Sequence, residues 1–125
     1  MDLKKLRDKL WRKMTDDPKS LIQVLLDTQI SWAERDDAAT YLYSYDEPEV
    51  EEALFKVASN PDENGDIAES CGECVAEIWC RKDELNLDKL QKLKPAALKE
   101  AIGIISVRKP QWMTIIAKVE LTRFQ

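Results

Sequence analysis

Val50, Ala53, Leu54, Val57 and Ala58 recur at the i, i+3, i+4, i+7, i+8 spacing that places all five on one face of an α-helix. Directly before them stands Asp46-Glu47-Pro48. An acid there can accept a free backbone N–H, and the fixed φ of proline suits the first helical position. Asp17-Pro18 repeats the device ahead of Leu21, Ile22, Leu25 and Leu26. Apolar stripes of this period, each with its own start signal, direct a chain to packed helices, because a strand would alternate every second residue.

The rest of the chain follows the same grammar. Leu3, Leu6, Leu10, Trp11 and Met14 form a stripe among lysines and arginines. A helix is expected over about residues 33–43, with Ala38, Ala39 and Leu42 inward. Asn60-Pro61-Asp62-Glu63-Asn64-Gly65 reads as a loop, and Asp66 as the start of a helix carrying Ile67, Ala68, Cys71, Val75, Ile78 and Trp79. A short turn from Asn86 presents Leu90 and Leu93. Pro95 opens a helix with Leu98, Ala101, Ile102 and Ile105, broken at Lys109-Pro110. Trp112, Ile115, Ile116 and Val119 suggest a last helix, although their β-branched content leaves a strand open there. Only three glycines and five prolines occur in 125 residues, and no flexible linker divides them. The expectation is one all-α domain over residues 1–125, built of about seven antiparallel helices.

Charge is concentrated. The net charge is −5, yet residues 34–77 hold 14 acidic side chains against 2 basic ones, a net of −12. Such a field repels nucleic acid and attracts basic partners, and a solvated acidic surface is the plainer reading. No stretch reaches the roughly 20 apolar residues of a membrane span. Met1-Asp2-Leu3-Lys4-Lys5 lacks the apolar core of a secretory signal, and three cysteines, an odd number, suit a reducing compartment. A cytoplasmic protein is therefore expected, binding neither nucleic acid nor membrane.

There is no histidine. That removes the commonest general base, the usual partner of a catalytic Ser or Cys, and the commonest metal ligand. No phosphate-binding glycine loop is present. Cys71 and Cys74 form a C-x-x-C with Cys80 six residues on. The pair falls inside a helix rather than at an N-terminus, where the dipole would acidify a thiol, so core packing is preferred over redox or metal chemistry. Asp62, Asn64 and Asp66 resemble part of a calcium loop, but Gly65 is misplaced for one. No catalytic residue, metal or cofactor is expected. Gly72 stands in mid-helix, which points to the close approach of a neighbouring helix, with close approach of a partner as the alternative.

A binding surface is expected instead from carboxylates on the helices that open near Asp36 and Asp66 and on the loop between their hairpins. These are Asp36, Asp37, Asp62, Glu63, Asp66, Glu69 and Glu73, with Tyr43 as an aromatic anchor. Glu69, Glu73 and Glu77 share one helix face and repel one another, a cost that a cationic partner would relieve. Trp32, Tyr41 and Tyr45 flank the acidic segment and serve equally well as core residues.

Arg35-Asp36-Asp37-Ala38-Ala39 and Asn64-Gly65-Asp66-Ile67-Ala68 each open a helix, 29 residues apart. Helix pairs repeating at about this length suggest a short HEAT-like α-solenoid, with an irregular helical bundle as the competing arrangement. The stretch Asp66-Ile67-Ala68-Glu69-Ser70-Cys71-Gly72-Glu73-Cys74-Val75-Ala76-Glu77-Ile78-Trp79 resembles the second repeat of small HEAT-like immunity proteins of bacterial contact-dependent growth inhibition (polymorphic toxin) systems. The resemblance covers residues 33–112, including Arg108-Lys109-Pro110-Gln111-Trp112, and is carried by small and acidic helical residues. It implies a chain that neutralises a cognate toxin, a basic nuclease for instance, by binding it. A generic HEAT-like adaptor and a small thiol enzyme using Cys71 and Cys74 are the alternatives.

Overall fold

The computed structural model describes residues 2–3 and 17–123; the apolar stripe from Leu6 to Met14 lies outside them. The described residues form seven α-helices: α1 (Pro18–Leu26), α2 (Trp32–Leu42), α3 (Pro48–Ser59), α4 (Gly65–Lys82), α5 (Leu87–Lys92), α6 (Pro95–Arg108) and α7 (Met113–Arg123). A 3-10 turn, Pro110–Trp112, leads into α7. The protein is all-α, and among the described residues there is no strand. The segment whose β-branched residues left a strand open is the helix α7. It follows the 3-10 turn directly and sinks Ile116 into the core while Ile115 stays exposed.

Local chemistry explains most of the boundaries. The Asp17 carboxylate accepts the Lys19 N–H at 3.0 Å, and Pro18 occupies the first turn of α1. Ser31 caps α2 by accepting the Glu34 N–H, and Asn86 caps α5 by accepting that of Lys89. Two expected caps differ. Helix α4 begins at Gly65, one residue before Asp66, because the Asn64 side chain accepts the N–H groups of both Asp66 and Ile67. Helix α3 begins at Pro48 without a side-chain cap from Glu47. Asp46 is engaged elsewhere, taking Arg81 at 2.9 Å. Helix α4 ends at Asp83 in the left-handed conformation, with φ of 56°. Aspartate tolerates this better than most side chains do.

Helices α2, α4 and α6 lie side by side, with the most extensive contact between α4 and α6. Helix α1 packs on both α2 and α3, and α3 packs on α4, so α1 and α3 form a layer behind α2 and α4. The core runs through this contact. Leu25, Leu42, Leu54, Ile67, Val75 and Trp79 are buried, each contributing about 1.5–3 kcal/mol of apolar transfer for a side chain of that size. Consecutive helices thus pair, α1 with α2 and α3 with α4. The third pair is unequal, since α5 has 6 residues against 14 in α6. Gly72 sets the spacing of α4 and α6: a Cβ there would lie 2.5 Å from the Ala97 carbonyl oxygen and 2.9 Å from its Cα. The mid-helix glycine admits the backbone of α6, as the sequence implies.

Candidate protein-binding surface

The acidic segment divides into carboxylates held by cations of the same chain and carboxylates left facing a groove. Arg35 carries the first kind. It occupies the i position of the buried stripe Ala38, Ala39 and Leu42 on α2, and so it is drawn inward. Its Nε donates to the Leu25 carbonyl at 2.8 Å, and its two terminal nitrogens donate to the Glu63 carboxylate at 2.8 and 2.7 Å. The two side chains are 5% and 8% exposed. A buried charge survives only when paired and hydrogen-bonded, and the bidentate fork meets that requirement. The hydrogen bonds from Arg35 hold the Glu63 carboxyl below the usual glutamate range against the opposing effect of burial, and Glu63 raises the arginine in return. Lys94 donates its Nζ to the Glu63 carbonyl, and its N–H bonds the Ala58 carbonyl at 3.0 Å. Glu63, expected at a partner interface, is therefore committed to joining the end of α1, helix α2 and the loop before α4.

Other acids are neutralised nearer the surface. Lys89 reaches Glu51 at 3.1 Å and Glu52 at 3.2 Å, with its ammonium 5.2 Å from the Phe55 ring centroid. Arg81 takes Asp46 and donates to the carbonyls of Tyr43 and Tyr45, at 2.7 and 3.2 Å. That clamp fixes the turn between α2 and α3, and with it the backbone of Tyr43.

Beside this turn, a groove of about 250 Å³ opens over the α2–α4–α6 row. Thr40 of α2 and Tyr43 at its C-cap line it, with Glu73, Cys74 and Glu77 of α4 and Ile104 and Arg108 of α6. Arg108 reaches Glu77 at 3.3 Å from the rim and is 60% exposed. Partial burial first, then Glu100, with Asp36 and Glu69 adding to the field, keeps the Glu73 carboxyl above the usual range. No ion pair of Glu73 or Glu100 occurs among the described residues. One Asp36 carboxylate oxygen is buried without a hydrogen-bond donor.

The structure brings two expected residues to the groove, Tyr43 and Glu73, while Asp36 and Glu69 act on the Glu73 carboxyl through their charge without lining it. Asp37 lies half-buried on α2. Asp62 and Asp66 are exposed at the loop and start of α4 and do not line the groove. Glu77, Glu100, Ile104 and Arg108 were not assigned to a site from sequence. The i, i+4, i+8 series Glu69, Glu73, Glu77 already pointed to Glu77, whereas the α6 residues meet that face only through the α4–α6 contact. Tyr41 and Trp32 are exposed, and Tyr45 packs against the core.

The thiols have a different character. Cys71, Cys74 and Cys80 are reduced and buried in α4. Burial pushes the Cys71 thiol well up, and burial together with the negative charges of Glu73, Asp36 and Glu77 pushes Cys74 up to about 12. Cys74 donates to the Ala39 carbonyl at 3.6 Å, so it serves the α2–α4 contact. Among the described residues, no group of three or more Cys, Asp or Glu side chains converges as a metal site would require, and no helix is long and apolar enough to cross a membrane.

No family model, no curated protein and no solved structure matches this chain.

Proposed function

We propose that this chain is a HEAT-like immunity protein that binds a cognate toxin, a basic nuclease domain, and blocks it by covering the surface that would meet phosphates. The observation that carries the reading is the groove over α2, α4 and α6, where Glu73, in no ion pair among the described residues, and Glu77 stand beside an exposed tyrosine. Such a face steers a cationic protein into contact, and an aromatic beside it supplies contact area at low entropic cost. The pairing of α1 with α2 and α3 with α4 supports a solenoid of helical hairpins. The burial and high pKa of the cysteines argue against the thiol enzyme, whose nucleophile needs an exposed, acidified sulfur.

The test pairs this chain with the product of the reading frame beside its own. Co-expression should restore growth, and the two proteins should form a complex whose association slows as salt rises. The double substitution Glu69→Lys, Glu73→Lys, in a chain still helical by circular dichroism, should slow association about tenfold or more at low salt and weaken its salt dependence, because steering raises on-rates by 10 to 10³. Unchanged association at both salt concentrations would remove the acidic face from the reading; failure to protect or to bind would remove the immunity function.

A further inference from the structure

We draw no further inference here: the strongest candidate, the apolar groove between α1 and α3 lined by Ile22, Leu26, Pro48 and Ala53, carries nothing because nothing in the structure shows what covers it, its flanking charges, Glu49, Glu52 and Lys56, being of both signs.

Discussion

Glu63 and Glu73 belong to the same acidic segment and occupy opposite situations. Glu63 is shut into the corner between α1, α2 and the loop before α4, where Arg35 answers it with two short hydrogen bonds. Glu73 faces an open groove, where the charge of another carboxylate, Glu100 on α6, acts on it. Burial acts on both, and only the partner differs. The cation drives one carboxyl below its usual range, while burial and then the negative charge of Glu100 keep the other above it. Acidic composition is therefore not one property of this surface. Part of it holds the fold together, and part, at Glu73, stands in no ion pair among the described residues.

The largest expected effect breaks the closed side. Arg35→Ala should destabilise the chain by about 3–5 kcal/mol, the usual consequence of leaving one member of a buried ion pair alone. Replacing both members, as Arg35→Met with Glu63→Leu, should recover most of that loss; urea unfolding of the three proteins checks the pair. The pH dependence follows the same logic. Because Glu63 binds its proton less tightly in the folded chain than in the unfolded one, its stabilisation is present above the ordinary glutamate value of about 4.3 and is lost as pH falls through the lower folded value. The unmodified protein should lose stability in that range, and the Met–Leu protein should lose less.

A middle-sized effect comes from the spacing of α4 and α6, on which the open side depends. Gly72→Ala should cost about 1–3 kcal/mol through overpacking against the Ala97 backbone, outweighing the roughly 1 kcal/mol that alanine gains in helix propensity. Gly103→Ala, on α6 where nothing lies within 4 Å of the new Cβ, should instead stabilise by about 0.5–1 kcal/mol. Thermal unfolding distinguishes the two signs. Equal effects would mean that the close approach at Gly72 does not hold the groove's two walls together.

The smallest effect concerns Glu73 itself. Its folded carboxyl holds a proton more tightly than the unfolded one, so its contribution is most favourable below about pH 4.3 and is lost as pH rises through the raised folded value. Glu73→Gln should therefore stabilise the protein at pH 7 by a few tenths of a kcal/mol, about the size of a like-charge repulsion on a helix surface, and by nothing at pH 3. A loss of stability at pH 7 would show that Glu73, like Glu63, is held by a cation.

The helical stripes were legible because their information is local. A 3.6-residue period, an N-cap and a proline act within one turn, which is how the apolar faces of α1, α3 and α4 could be placed before any packing was known. Gly72 also declared itself, since an uncapped mid-helix glycine needs a packing reason. Arg35 was visible in principle: it continues the stripe of Ala38, Ala39 and Leu42 one turn toward the N-terminus. A charged residue at an apolar position signals a buried partner, but period alone does not name it.

What tertiary structure decided is which carboxylate meets which cation. Glu63 and Arg35 are 28 residues apart, Lys89 and Glu51 are 38 apart, and Arg108 and Glu77 are 31 apart. Helix α6 contributes Ile104 and Arg108 to the groove only because Gly72 lets it lie against α4. Composition determined that the segment would be negative. Charge is a property each residue carries with it, whereas its compensation depends on distance and solvent exposure, and those exist only once the helices have packed.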